Sequence, residues 1–310
     1  MTSRTKWRRL AALAVGSLLA AAAAELAYRV TRVSALSPTT NPLYVRHDDE
    51  LGWAYVANAS ARHTSSEFDV DVAINARGFR GPAWPASRSG KRVLVLGDSF
   101  AFGWGVAYER SFSARLQELH PEWQIVNAAV SGYATDQELL LARRLVPELA
   151  PDVVVCVFCS NDLWEASTDV AYGKHKPRFL DRAGALELAG TPVPQPFLER
   201  ASALWRAWQK RRWERAFATR TRDRGEEWRL VCDLFRALRD ACGPAPLVLV
   251  SESDRLAAFA RETPRVSHVD VRRAFGLAEG PTSFPLDGHW NELGHEKVAR
   301  ALEVVLRELD

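Results

Sequence analysis

Apolar positions along this chain fall into three regimes. Residues 10–24 form an uninterrupted run of apolar, Gly and Ser residues. Residues 34–90 mix Pro, Asn, Ser, Arg and aromatics without helical period, and within them "FDVDVAI", Phe68–Ile74, alternates as a strand does. From Arg92 onward, short and nearly continuous aliphatic runs alternate with segments of helical period. The expected strands are Val93–Leu96, Gln124–Asn127, Val153–Cys159, Leu247–Ser251 and Val266–Asp270. Between them, "TDQE" at Thr135–Glu138 reads as a capping box, opening a helix that stops before Pro151. Leu230, Leu234 and Leu238 share one face of a helix over 226–241. Val298, Leu302, Val305 and Leu309 do the same in the last helix, with Asn291 as its cap. Strands this apolar must be covered on both faces, and the helices between them supply the cover. The expected class is α/β, doubly wound on a parallel sheet.

Residues 164–225 interrupt that alternation. "KPRFLDRAGALELAGTPVP" reads as a hairpin turning near Ala183 and Gly184. The basic, tryptophan-bearing helix "FLERASALWRAWQKRRWERAF" follows; its Trp205 and Trp208 either rest on a membrane surface or pack on the domain.

The N-terminal apolar run follows Arg4, Lys6, Arg8 and Arg9, the arrangement of a secretory signal or a signal anchor. Leu10–Ala24 alone falls short of the ~20 residues that span a bilayer, but Trp7 and the "LAY" after Glu25 lengthen it. A retained anchor and a cleaved signal both fit; either exports the rest of the chain, to stay on the membrane or to be secreted or periplasmic. No Cys follows the run to carry a lipid. Charge is divided the same way: of the net +3, residues 1–33 carry +5 and the remainder −2. The basicity is local, and nothing global favours a nucleic-acid partner.

With 310 residues, 47% hydrophobic, the chain can bury one sizeable core and carry extensions. Residues 1–33 are expected as signal or anchor, 34–90 as a β-rich extension, and 91–310 as the main domain, with the insertion at 164–225. The four cysteines form no evident framework. Cys156 and Cys159 lie three apart in one expected strand, and Cys232 and Cys242 lie about 15 Å apart along one helix, so free thiols are expected.

Open parallel sheets gather function at the carboxyl ends of their strands. Four polar landmarks fall there: Ser99 in "VLVLGDSFAFGWGV", Asn127, the pair Asn161 and Asp162, and Asp287 with His289 in "FPLDGHWN". Each alone has a plain role as a cap or a solvated side chain. Together they meet the needs of acyl transfer. A serine hydroxyl needs a base to take its proton, and the base needs a carboxylate to fix its tautomer and stabilise the imidazolium. Ser99, His289 and Asp287 supply the three. The tetrahedral intermediate needs donors, and the Ser99 N–H, the Gly132 N–H in "NAAVSGYAT" and the Asn161 amide supply them. Neither HExxH nor a Cys/His zinc spacing occurs, and "GWGV" is no dinucleotide fingerprint, so no metal or cofactor is expected. Asp98 is expected as a structural hydrogen-bonder, His295 as a packed or capping residue of the last helix, and "AFGWG" as a wall of the acyl pocket.

From about residue 91 to the C-terminus the chain resembles the SGNH (GDSL-type) hydrolases. "GDSF" matches the block of the nucleophile, "SGY" the block that places Gly132, and "CSND" the third, with Cys159 where glycine is usual. The last block is Asp287-Gly288-His289 rather than Asp-x-x-His, a shorter spacing similar to that of polysaccharide O-acetylation proteins of the alginate type. The resemblance implies a flavodoxin-like three-layer α/β/α sandwich and an esterase with Ser99, His289 and Asp287 as its triad. The expected substrate is an O-acyl ester, acetyl on a glycan first, reached by a protein bound to the membrane through its N-terminal segment. An O-acetyltransferase of exopolysaccharide modification, a lipid esterase and a catalytically silent glycan-binding module are the alternatives.

Overall fold

Val93, Leu94, Val95 and Leu96 have no exposed surface at all, which a strand achieves when it is flanked on both sides and covered on both faces. The computed structural model describes residues 3–32, 43–85, 87–182, 184–218, 224–276 and 279–309. Four short strands come first: β1 (Val45–Asp48), β2 (Gly52–Tyr55), β3 (Ser60–Thr64) and β4 (Asp69–Ala73) form two antiparallel hairpins. The central sheet is built from β5 (Arg92–Gly97), β6 (Gln124–Asn127), β7 (Val153–Val157), β12 (Leu247–Ser251) and β13 (Val266–Asp270). All its pairings are parallel, in the order β13-β12-β7-β5-β6. Renumbered within the sheet this is 2-1-3-4-5, the flavodoxin-like order, whose switch point lies between β5 and β7.

Helices cover the two faces of the sheet. Helix α3 (Phe112–Leu119) packs with α11 (Glu292–Glu308), and α4 (Thr135–Leu149) packs with α8 (Gly225–Ala241). Their apolar stripes are buried as the spacing requires: Leu234 and Leu238 in α8, Val298 and Leu302 in α11. Asn291 caps α11 by accepting from the Gly294 N–H at 3.1 Å. Shorter helices are α2 (Ser99–Phe102) and α5 (Asp162–Glu165) at the sheet's carboxyl edge, and α9 (Asp254–Glu262) and α10 (Val271–Phe275) beside β12 and β13.

Three local expectations are corrected. The third strand ends at Val157, two residues early, so Cys159 lies in the following loop and not on the strand. The capping box is absent: α4 starts with Thr135 as its first turn, and Gln137 reaches back to the Ala134 N–H at 3.4 Å. Glu138 instead turns into the core and accepts from the Cys156 thiol at 3.2 Å. Phe68–Ile74 contributes a strand trimmed to Asp69–Ala73. All four cysteines are free.

The insertion forms β8 (Val170–Ala171) with β9 (Lys174–His175), then the expected hairpin β10 (Arg178–Arg182) with β11 (Ala185–Ala189), then helices α6 (Phe197–Ala201) and α7 (Ala203–Ala218). Of the expected turn, Ala183 lies outside the described residues. Lys176 ties the insertion to α4 through Asp136, with neither side chain exposed. The N-terminal helix α1 (Ser3–Arg32) includes a candidate span over Arg4–Thr31, none of it buried.

Beneath the sheet's carboxyl edge sits a group of buried acids, Asp98, Glu138, Asp162 and Glu165, each at most 1% exposed. Burial raises the pKa of all four, with neighbouring acids adding to it for Glu138, Asp162 and Glu165. Glu165 is pushed up to about 8, mainly by burial; the Tyr172 hydroxyl, donating at 2.9 Å, acts the other way. The folded state thus holds a proton that the unfolded chain releases above the ordinary carboxylate range, and stability falls as pH rises through about 8. Glu165→Gln keeps the shape without the charge. Its stability relative to wild type should grow between pH 5 and 9, by up to about 1.4 kcal/mol per pH unit in urea melts; a difference independent of pH would contradict a protonated Glu165.

Candidate active site

Strand β5 turns sharply at Gly97, whose φ is +146°. A Cβ there would stand 2.6 Å from the Ala101 Cβ and 3.1 Å from the Val157 Cβ, so glycine is required for α2 to start this close to β7. Asp98 then caps α2 by accepting from the Phe100 N–H at 2.9 Å. Since Asp98 takes the capping role, Ser99 becomes the first helical residue and its hydroxyl is released toward the edge. Burial pushes the Asp98 carboxyl up to about 6, against the Phe100 N–H that favours its charge.

His289 meets Ser99 from the loop before α11. That loop closes on itself: the Phe284 N–H donates to the His289 carbonyl at 2.8 Å, and the Gly288 N–H to the Phe284 carbonyl at 2.9 Å. His289 Nε2 lies 2.7 Å from Ser99 Oγ, against 3.5 Å from Oγ to Asp98 Oδ2, so the imidazole is the serine's close partner. On the other side Nδ1 lies 2.5 Å from Asp287 Oδ1, and the same oxygen accepts from the His289 backbone N–H at 3.3 Å. This doubled grip is what a two-residue spacing allows. An ionised carboxylate only accepts, so Nδ1 carries the proton and Nε2 is left to accept from Ser99.

Trp104 completes the group. Its indole N–H donates to Asp287 Oδ2 at 3.1 Å, and its ring stacks on the imidazole at 4.8 Å and 18°. Phe100 covers the imidazole too, at 4.6 Å. Burial by itself raises the Asp287 pKa, but the hydrogen bond and charge of His289, with the Trp104 N–H, outweigh it and hold the carboxyl below its usual range. The segment "AFGWG", expected as an acyl-pocket wall, thus sends its tryptophan to the aspartate and histidine. The glycine-flanked tryptophan was the sequence's signal for it, with no indication of the partner.

Gly132 lies in the loop after β6, buried together with its neighbours. This loop is held from β2: the Ser131 N–H donates to the Tyr55 hydroxyl at 3.0 Å, and the Trp53 indole N–H to the Ser131 carbonyl at 3.3 Å. Asn161 precedes α5 beyond β7 but makes no capping bond, so its amide is not used to end the helix. It lies half-buried over the acids, 3.5 Å from Asp162 Oδ1. Ser99, Gly132 and Asn161 therefore follow β5, β6 and β7, around the switch point. Asn127 does not join them: its amide donates to the Ala101 carbonyl and Ser113 Oγ, both at 2.9 Å. Asp162 is one of the buried acids. His295 packs against Phe112, and burial drives its pKa down to about 3. Among the described residues, no group of acids, histidines and cysteines has the makings of a metal site.

No curated protein sequence matches the chain. Several solved structures are similar. A lipolytic protein of the G-D-S-L family from Veillonella parvula DSM 2008 has 14% identity and a TM-score of 0.44 over 70% of this chain and 100% of that one. A family 3 carbohydrate esterase from Clostridium thermocellum has 12% identity and a TM-score of 0.41 over 71% of this chain and 98% of that one. An acetylxylan esterase from Geobacillus stearothermophilus has 19% identity and a TM-score of 0.40 over 73% of this chain and 96% of that one. The model of the GDSL-like lipase/acylhydrolase family matches residues 95–297, which run from the last turns of β5 through the Ser99, Gly132, Asn161 and His289 positions into α11. That match takes in well over half of the 310 residues, and the chain belongs to the GDSL-like lipase/acylhydrolase family.

Proposed function

We propose that the protein is a serine esterase that cleaves an O-acyl ester, acetyl on a glycan foremost, through Ser99, His289 and Asp287. The observation that carries this reading is the continuous hydrogen-bonded line from Ser99 Oγ to His289 Nε2 at 2.7 Å and from Nδ1 to Asp287 at 2.5 Å. His289 takes the Ser99 proton as Oγ attacks the ester carbonyl, and Asp287 stabilises the imidazolium. The Ser99 N–H, the Gly132 N–H and the Asn161 amide receive the oxyanion. Collapse breaks the bond to the alcohol, which leaves with the proton from His289. Water, deprotonated by His289, then attacks the acyl-serine, and the acid departs as Ser99 recovers its proton. Burial raises the pKa of Asp162 and Glu165, and an acid that keeps its proton favours this chemistry, since an ionised carboxylate below the oxyanion would oppose its charge.

The same proposal keeps α1 as a retained membrane anchor with the site outside the cytoplasm. Glu25 near its far end accepts from the Ser202 hydroxyl at 2.8 Å and from the Ala203 and Leu204 N–H groups at 2.6 and 3.1 Å, serving as the cap of α7. Arg29 donates to the Ala201 carbonyl at 2.7 Å. Cleavage after Ala24 would keep Glu25 and Arg29 but sever them from the apolar helix that carries them to α7.

Ser99→Ala should lower turnover of an acetylated glycan by ~10³ or more, and His289→Ala by a similar factor, with Asp287→Ala costing less. Acetate release and acetyl transfer, followed together by mass spectrometry, separate hydrolase from transferase; near-normal turnover in Ser99→Ala, or no labelling of Ser99 by a fluorophosphonate, would refute the reading. Trp104→Phe keeps a ring over His289 and loses the bond to Asp287, so kcat should fall about 10-fold with KM nearly unchanged. Intact mass of the protein recovered from membranes should include residues 1–32; a mature N-terminus after Ala24 would show cleavage.

A further inference from the structure

The hairpin β3–β4, which the family match does not reach, touches the loop that carries Asp287 and His289. Its turn is fixed by Ser65, whose hydroxyl accepts from the Glu67 and Phe68 N–H groups at 3.0 and 3.2 Å, and whose own N–H donates to the Phe68 carbonyl at 2.8 Å. From this turn the Glu67 carboxylate crosses to the loop. It accepts from the Leu286 N–H at 3.0 and 3.1 Å and from the Asp287 N–H at 2.7 Å. Two consecutive amides converging on one carboxylate form a charge-assisted clamp.

Neighbouring contacts hold the same register. Phe68 packs on Phe284 with ring centroids 5.2 Å apart. Both rings press on Gly105, where a Cβ would come within 2.7 Å of Phe284 and 2.8 Å of Phe68. His63, on β3, meets the Trp104 ring edge-on at 4.5 Å. The hairpin thereby braces Trp104 and the loop together, while the Leu286 side chain stands 81% exposed and contributes no packing of its own.

We propose that Glu67 is a positioning residue: by holding the Leu286 and Asp287 amides, it fixes the backbone of the loop so that the Asp287 carboxylate meets His289 and His289 meets Ser99. This rests on the reading of those three residues as a triad. Misplacement of reacting groups by about 1 Å is enough to cost 10²-fold in rate, so the clamp acts on kcat and leaves substrate binding alone.

The full chain in detergent, wild type and as Glu67→Ala, Glu67→Gln and Arg62→Ala, tests this with p-nitrophenyl acetate, a fluorophosphonate probe and hydrogen exchange of the Leu286 and Asp287 amides. Glu67→Ala should lower kcat and the rate of Ser99 labelling about 10- to 100-fold, leave KM within about twofold, and speed exchange of both amides. Glu67→Gln, whose carbonyl oxygen still accepts, should recover most of the rate. Arg62→Ala breaks the ion pair to Asp69 across the hairpin at 2.5 Å, away from the loop, and should keep the wild-type kcat. Unchanged kcat in Glu67→Ala overturns the proposal, as does an equal loss in Arg62→Ala, which would mean that only hairpin stability matters. A wild type that neither hydrolyses the ester nor labels at Ser99 overturns the triad reading instead. Amide exchange still reports on the clamp in that case: unprotected Leu286 and Asp287 amides in the wild type overturn it.

Discussion

The hydrogen bond between Asp287 and His289 Nδ1 sets the terms for the whole candidate site. A carboxylate that can only accept forces the proton onto Nδ1, and this leaves Nε2 as the group facing Ser99. The bond is short because the loop brings aspartate and histidine together across one intervening glycine, and one carboxylate oxygen serves both the ring and the backbone of His289. Trp104 takes the other oxygen and lies flat against the imidazole, so neither partner can swing without breaking a second contact.

Ser99 reaches this pair through a different constraint, the burial of β5. A strand with neighbours on both sides and helices on both faces must deliver its chain at the sheet's edge, and Gly97 lets it turn there without striking β7. The buried acids under the edge follow from the same crowding. Burial raises the pKa values of Asp162 and Glu165, and an acid that keeps its proton can lie beneath the site without imposing a negative field on it.

The segments ahead of the sheet are woven into the same structure. Trp53 and Tyr55 join the common core and hold the Ser131 backbone beside Gly132. Glu67 reaches the opposite loop. Glu25, in the apolar helix, caps the basic helix of the insertion. These are long-range pairings of single polar atoms, and they connect parts of the chain that composition alone separates.

Periodicity and turn chemistry made the parallel sheet, its main helices and the residues at its carboxyl edge legible, because a strand buried on both faces leaves an aliphatic run and a cap leaves a polar residue at a set offset. The same local logic failed at Thr135–Glu138, where a capping box is a permissible reading but the helix starts one residue early, so Gln137 takes the position that reaches back and Glu138 faces the Cys156 thiol. It also set Asn127 beside Ser99 and Asn161, since position at a strand end does not say which way a side chain turns; in the folded chain Asn127 serves Ala101 and Ser113. Trp104, Glu67, Trp53 and Tyr55 were beyond reach for a related reason. Their partners are Asp287, the Leu286 and Asp287 amides, and Ser131, all far away in sequence. A hydrogen bond to a distant backbone atom leaves no mark in spacing or composition. The sequence by itself determined which chemical groups the sheet's edge would hold; the tertiary structure alone decided which of them meet, because that depends on distances across the fold that no local pattern encodes.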